Sequence, residues 1–407
     1  MSLLHDLPNP QRRAIDVVKE IAEEKECHPF LVGGPVRDIL LGRPSLDIDL
    51  TLETGGSTLA RALAKRLEGR VRSFPQFLTY KVTASGYPEI DIATSRKERY
   101  RQPGALPAVT AGRLKDDLLR RDFSINAIAL DLMNGALHDP AHGERDLEGR
   151  VVRVLHDRSF LDDPTRIFRA ARLAARLGFA IEPHTADLMR AAVAADALTN
   201  VSKERIWREL FLAMDEEKAP QVLADLAGRG ALDVLFGRRI GGELRERLDM
   251  IHDQLARNED LDRYVLYTGA MLRGDASPID FEGSGFSQKR ARAVVEIAND
   301  LPRVEEALGA ANSDRERFHI YRSVSPEMLT VIATEKPDEQ QHIQRYHDFE
   351  NFRLPLRGND LEVPGGPHVA RALEQTREAV FSGEIPPEEA RSYAKKVARE
   401  LLENSAS

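Results

Sequence analysis

Cysteine is nearly missing from this chain: Cys27 is the only one among 407 residues. Disulfides and cysteine-based zinc sites within one chain are excluded, and a reducing cytoplasmic setting is expected. No stretch approaches the ~20 consecutive apolar residues that a membrane-spanning helix needs. The start, MSLLHDLPNPQRR, has no basic stretch followed by an apolar run, so no secretory signal is expected. A surplus of positive charge is missing too. The formal net charge is -8, so a nucleic-acid partner would have to be held by local basic patches. Internal repeats and low-complexity tracts are also absent. What is present, 42% hydrophobic and 30% charged residues, fits a globular chain too long for one core.

The first ~155 residues mix two periodicities. Residues 11 to 27 carry Ile15, Val18, Ile21 and Ala22 on one face and predict a helix. Phe30 to Val32 predict a short strand, broken by Gly33 and Gly34 before a helix over Val36 to Leu41. Leu46 to Leu50 alternate as a strand, Leu59 to Leu67 read as helix, and Thr79 to Ala84 and Glu89 to Ala93 as strands around Gly86. Glu98 to Gly112, with Pro103, Gly104 and Pro107, predicts a loop. Ile125 to Leu132 and Val151 to Leu155 are further apolar elements. From Pro164 onward helical periodicity dominates, interrupted near Gly228 to Gly230, Gly274 to Ser277, Glu282 to Gly285 and Pro364 to Pro367. The fold class is α+β: a mixed head followed by an all-helical remainder.

The densest chemistry lies in GGPVRDILLGRPSLDIDL, residues 33 to 50. Asp47 and Asp49 are two apart, which on one strand sends both carboxylates to one face. Carboxylates held that close repel unless a cation separates them, and hard oxygen ligands suit Mg²⁺ bound jointly by substrate phosphates. Gly33 and Gly34, between strand and helix, let backbone N–H groups approach a phosphate. Arg37 can add a charge-assisted contact to a triphosphate. A surface D-x-D beside an ordinary glycine turn would look the same in isolation.

This segment resembles the head of the class II tRNA nucleotidyltransferases and bacterial poly(A) polymerases, in the polymerase-beta-like superfamily. Further matches run along nearly the whole chain. Arg120 to Ala127, RRDFSINA, resembles the family's RRDFTINA, with Ser124 for Thr. Asp139, Pro140, Gly143, Asp146 and Leu147 resemble the third motif. Asp162 to Phe179 resemble the fourth, usually EDxxR, with Asp162 where Glu is usual. Val201 to Leu210 resemble the fifth, and Gly358 to Gly383 the tail segment. The resemblance implies a polymerase-beta-like head over 1–157, a helical neck over 158–217, a body over 218–300 and a tRNA-binding tail over 301–407. It implies Mg²⁺ on Asp47 and Asp49, and assigns Arg121 to the nucleotide, with Asp122 and Asn126 ordering pocket and sugar.

The fourth motif has a physical reading. Cytosine and adenine both present an amine donor beside a ring-nitrogen acceptor, whereas uracil and guanine reverse that order. A carboxylate beside a guanidinium therefore accepts C and A and rejects U and G. Asp163 would take the amine and Arg166 the ring nitrogen, as i, i+3 neighbours on a helix. Arg169 and Arg172 continue around the helix toward sugar or phosphate. Alternatively Asp162 or Asp163 is an N-cap before Pro164 and the arginines are a solvated face.

Other residues are less telling. Asp91 alternates like Asp47 and Asp49 and is a candidate third carboxylate, or a structural strand-end residue. Glu98 to Val109 sits where the family has a flexible loop that gates a conformational step. Ser202, Glu204, Arg205 and Glu209 read as a capped, ion-paired helix, hence structural. His252-Asp253 and His347-Asp348 lack the companions of a metal site, and Lys289, Arg290, Arg292, Lys395, Lys396 and Arg399 read as solvated faces. The expected activity is addition or repair of CCA at the tRNA 3′ end from CTP and ATP, without a nucleic-acid template and with release of pyrophosphate. The partners are tRNA, CTP and ATP, with no membrane and no obligate protein partner. Alternatives are an A-adding or CC-adding enzyme, a poly(A) polymerase, or a non-catalytic RNA-binding protein on a retired scaffold; intact Asp47, Asp49, Arg121, Asp163 and Arg166 argue against the last.

Overall fold

The computed structural model describes residues 4, 7–44, 46–100, 102–105, 107–241, 244–274 and 280–405. It divides into two compact units, one comprising Met1–Arg245 with Ile279–Gly285, the other Glu246–Pro278 with Phe286–Ser407.

The first unit is built on a seven-stranded mixed sheet. Helix α1 (Asn9–Glu24) leads into strand β1 (Phe30–Val32), α2 (Gly34–Leu40), β2 (Ile48–Leu52) and α3 (Gly56–Arg66). Strands β3 (Arg70–Phe74), β4 (Thr79–Thr83) and β5 (Ile90–Thr94) follow, then β6 (Arg96–Arg99), β7 (Ala108–Ala111), α4 (Leu114–Leu119), β8 (Ala129–Asp131) and β9 (Leu137–His138). The spatial order is β3-β4-β5-β2-β1-β8-β9. Only the β2–β5 pairing within it is parallel, with Asp49 opposite Asp91; the others are antiparallel. Ile48, Leu50, Leu52, Val82, Ile90 and Ile92 are buried, as are Leu59, Ala60 and Leu63 of α3, which packs on β4 and β5. Strand pleating sends the alternate residues, Asp49 and Asp91 among them, to the opposite face.

Expectation and structure differ in three places. Strand β2 begins at Ile48, so Asp47 precedes it, outside any regular element. Strand β3 was not expected: its arginines are exposed, and an edge strand needs no apolar alternation. The segment expected as a loop forms a hairpin, β6 pairing with β7 from Arg96↔Ala111 to Arg99↔Ala108. Pro103 and Gly104 lie only in its tip; Arg101 and Leu106 of that expectation lie outside the described residues.

After the sheet the unit is mainly helical, with one short parallel pair, β10 (Val151–Val152) beside β11 (Ala180–Ile181). Helices α5 (Gly143–Glu148), α6 (Ser159–Asp162), α7 (Arg166–Leu177), α8 (Pro183–Ala194), α9 (Lys203–Met214) and α10 (Ala219–Gly228) follow in order. Helix α7 packs on α9 and α10, its Ile167, Phe168, Ala170 and Ala171 are buried, and Trp207 of α9 is 1% exposed against Phe211 and Phe236.

The second unit is all helical among its described residues. Phe318, Phe349 and Phe381 form an aromatic centre with ring separations of 5.1 to 6.2 Å, and Arg377 lies 4.2 Å from the Phe349 ring centroid. The basic residues read as solvated are partly paired: Arg290 with Asp262 at 2.5 Å and Lys395 with Glu362 at 2.6 Å. His252 hydrogen-bonds the Tyr267 hydroxyl at 2.7 Å, a structural contact. The expected turn at Gly274 to Ser277 lies outside the described residues beyond Gly274. No helix of the described residues is long and apolar enough to cross a membrane.

Candidate active site

A cleft of about 520 Å³ in the first unit is lined by Gly33, Gly34, Asp49, Arg121, Asp122, Asn126, Asp163, Arg166 and Arg169, together with Glu98, Tyr100, Pro107, Arg120, Thr165, Arg205, Arg208 and Glu209. A smaller cavity of about 120 Å³ shares Asp122, Asn126 and Arg169 with it and adds Arg37, Arg172 and Arg176. Of the nucleotide- and metal-binding candidates all but Asp47, exposed just before β2, line one or other cavity; Asp91, the candidate third carboxylate, lines neither.

The turn after β1 is fixed by Gly33. Its φ is +77°, and a Cβ there would stand 2.7 Å from the Arg121 guanidinium. The positive φ requires glycine, whereas the guanidinium is the far end of a flexible side chain that can shift. Gly34 has more room, 3.6 Å to Arg37. Arg37 itself is buried; it donates to Asn126 Oδ1 at 2.7 Å and pairs with Asp38 at 2.9 Å. Asn126 in turn donates to Asp122 Oδ1 at 3.0 Å, and Arg169 to Asp122 Oδ2 at 2.9 Å. Burial alone would raise the Asp122 carboxyl, but Arg169 and the Asn126 amide beside it hold it down at about 2. One chain of contacts thus joins α2, the RRDFSINA segment and α7.

Asp117 of α4 organises the arginines below it. Its side chain is 0% exposed and accepts from Arg120 at 2.8 Å and Arg121 at 3.1 Å. Arg120 also reaches Glu98 at 2.7 Å, and Tyr100 donates to the same carboxylate at 3.0 Å. The sequence signal for Asp117 was the i, i+3, i+4 spacing in DDLLRRD.

The fourth motif departs from its expected geometry. Asp163 is not on a helix with Arg166; it occupies an extended break (φ −136°, ψ 93°) between α6 and α7. The following Pro164 disfavours helical backbone there. Asp163 Oδ1 accepts from Thr165 N (3.2 Å), Thr165 Oγ1 (2.7 Å) and Arg205 Nη2 (3.0 Å), while Oδ2 has no protein donor among the described residues. The local turn bond therefore falls to Asp163, whereas Asp162 pairs with Arg158 at 3.3 Å. Arg166, 5% exposed, donates to Ser159 Oγ at 2.6 Å and to the Arg120 carbonyl at 2.9 Å. Arg172 is held by Glu209 at 2.9 Å and Glu216 at 3.0 Å, and Arg176 shares Glu216. The fifth motif, expected to be structural, is thus part of the site: Arg205, Arg208 and Glu209 line the cleft, while the Ser202 side chain makes no capping bond.

The fit of a divalent cation is legible in the carboxylates. Burial first, then Asp91 and Asp47, push the Asp49 carboxyl up to about 6, against the pull of Arg121 and Lys81. Crowded hard-oxygen donors of this kind are neutralised by a cation. Among the described residues no group of three or more His, Cys, Asp or Glu converges as ligands, so two carboxylates would need substrate oxygens to complete a coordination shell.

Residues 29–153 match the poly(A) polymerase head domain, and residues 178–238 a probable RNA- and SrmB-binding site of polymerase A. The A-adding tRNA nucleotidyltransferase of Geobacter sulfurreducens is 32% identical over 93% of this chain and 46% of its own length. That of Halalkalibacterium halodurans is 36% identical over 88% of this chain and 84% of its own. A solved CCA-adding enzyme, apo form II, superposes with a TM-score of 0.83 over 99% of this chain and 98% of that one, at 24% identity, a likeness of fold. A polymerase-beta-like head joined to a helical neck defines the class. The chain belongs to the tRNA nucleotidyltransferase and poly(A) polymerase family. It spans about half the length of the Geobacter relative.

Proposed function

We propose that this chain transfers nucleotides, without a nucleic-acid template, to the 3′ end of tRNA, with release of pyrophosphate. The observation that carries the reading is the single cleft that gathers Asp49, the Gly33 turn, Arg121, Asp122, Asn126, Asp163 and Arg166. Asp47 and Asp49 would hold Mg²⁺, which when bound supplies charge neutralisation at the reacting phosphate. The Gly33–Gly34 backbone and Arg121 bind the triphosphate and orient its α-phosphorus. Asp122, fixed by Asn126 and Arg169, stays ionised and keeps those side chains aimed. Asp163 Oδ2 accepts the exocyclic amine of C or A, and Arg166 donates to the ring nitrogen. Crowded donors in a protein-lined cleft act at lower dielectric than in water, so mismatched bases leave unpaired polar groups.

Two versions of this activity share one step, addition of A to a tRNA ending in CC. Full CCA synthesis is supported by a base-reading pair that suits both nucleotides and by the β6–β7 hairpin beside it. Addition of A alone is favoured by a different observation: the two relatives reported above are both named A-adding enzymes. The deciding experiment incubates the protein with tRNAs ending at the discriminator base, at C and at CC, with CTP, ATP or both, resolved to one nucleotide. Growth from the discriminator base through CCA establishes the first version; growth only from CC with ATP, the second. No growth from any of the three would refute the proposal.

A further inference from the structure

The sheet face that carries Asp49 does not end at the carboxylates. Reading the register outward from β2, Asp49 stands opposite Asp91, Asp91 opposite Lys81, and Lys81 opposite Arg72. Directly opposed residues share a face, so these four form one row across four strands. Two negative positions at the centre of the sheet give way to two positive ones at its edge. On β3 the same face also carries Arg70 and Phe74, two residues to either side of Arg72.

The row is accessible. The Asp91 side chain is 50% exposed and that of Lys81 35%, and Arg70 and Arg72 are exposed. Lys81 lies 2.5 Å from Glu89 and 3.6 Å from Asp91, so its charge is partly used. Arg72 has no carboxylate partner among the described residues and lies over the Phe74 ring at 5.0 Å, which holds the guanidinium near the sheet. The turn between β3 and β4 is tied down, because Arg96 donates to the Phe77 carbonyl at 2.5 Å.

We infer that the strip Lys81–Arg72–Arg70, flanked by Phe74, is the track on which the acceptor RNA lies as its 3′ end reaches Asp49. The inference rests on the reading of the cleft as a nucleotidyltransferase site. A triphosphate enters among arginines on the side of Gly33, Arg121 and Arg169, whereas this strip leads away from the carboxylates at the other side of Asp49. A polyanion that begins at the reacting oxygen and extends several residues along the sheet matches this order of charges. A single strand of RNA has that form, with phosphates for the guanidiniums, of which Arg72 is positioned by the Phe74 ring beneath it. The chain is acidic as a whole, so local cationic strips of this kind are how it would hold RNA.

The test is equilibrium binding of a minihelix that comprises only the acceptor arm and ends in CC, measured against salt. The double variant Arg70→Glu with Arg72→Glu should bind it at least ~10-fold more weakly, with the slope of log affinity against log salt reduced by about one to two, as each lost phosphate contact predicts. The KM for ATP should stay within about twofold. The pair Arg70→Lys with Arg72→Lys should retain both binding and salt slope, which a loss of fold would not allow. Unchanged minihelix binding and salt slope in the Glu variant overturn the strip. Turnover by the wild type separates the two readings: a wild type that binds minihelix but extends no tRNA sinks the activity, while the binding comparison still decides the strip.

Discussion

Arg205 holds two distant parts of the first unit with one guanidinium: Nη2 donates to Asp163 at 3.0 Å and Nη1 to the Gly104 carbonyl at 2.9 Å. The tip of the β6–β7 hairpin and the candidate base-reading carboxylate are therefore anchored by the same side chain. Gly104 fits against this surface only as glycine, since its φ is +72° and a Cβ would stand 2.6 Å from the Asn200 carbonyl oxygen. Removing the guanidinium takes one contact from each end and leaves the Thr165 bonds to Asp163 and the bond from Gly104 N–H to the Asp162 carbonyl. Arg205→Ala should lower kcat/KM for ATP roughly 10- to 100-fold and narrow the preference for ATP over GTP. Deleting Tyr100 to Val109 should give a similar loss, and combining the two should add little, because residues acting through one contact are not additive. A fully additive double variant would separate the hairpin from Arg205.

Base choice is tested at Asp163 itself. Asp163→Ala should reduce use of CTP and ATP and shrink their advantage over UTP and GTP. Each mismatched buried polar group costs ~1–3 kcal/mol, so two contacts are worth roughly 10- to 10⁴-fold. The comparison is kcat/KM for all four nucleotides on tRNA ending at the discriminator base and at CC. Equal losses for all four would reduce Asp163 to the turn residue that its bonds to Thr165 also make it.

Asp47→Ala and Asp49→Ala should each abolish incorporation while tRNA affinity, measured by filter binding, changes less than about threefold, since phosphate contacts elsewhere hold the RNA. Near-normal turnover in either variant would remove the carboxylates from the chemistry.

Asp122 gives a pH signature. Arg169 and the Asn126 amide outweigh its burial and hold the folded carboxyl down at about 2, below the ordinary carboxylate range. A depressed carboxylate contributes stability above its unfolded pKa and loses that contribution as pH falls through the folded one, here between about 4 and 2. The linkage is worth ~2 kcal/mol at neutral pH. Asp122→Asn should be destabilised at pH 7 through the unpaired Arg169, yet its denaturant midpoint should fall less than the wild type's between pH 4 and 2. Parallel acid profiles for the two proteins would contradict this account.

What the sequence disclosed followed where chemistry and periodicity coincide. Strands β2 and β5 alternate because one face is buried, and the Gly33 turn announced itself by composition. Strand β3 did not, since an exposed edge rich in arginine has no apolar period to read. Pro103, Gly104 and Pro107 concealed the hairpin arms on either side of them. Asp163 and Arg166 line one cleft but not as neighbours on a helix, because the backbone effect of Pro164 outweighed the helical spacing. Arg205 and Glu209 looked like ordinary helix-surface charges; their partners, Asp163 and Arg172, lie far away in the chain and are reached only once α7 and α9 have packed.

The parallel pairing of β2 with β5 has a cost that activity alone would not reveal. It sets Asp49 beside Asp91 in the middle of the sheet, where no local turn helps to bring the two strands together. Their mutual repulsion works against closure of the very strand pair on which the head depends. In metal-free buffer a neutral side chain at position 49 would relieve that opposition, so Asp49→Asn would be expected to melt at a higher temperature than the wild type. The carboxylate proposed to hold the metal is then one the fold would be sturdier without, a trade of heat resistance for a working centre that the melting comparison tests.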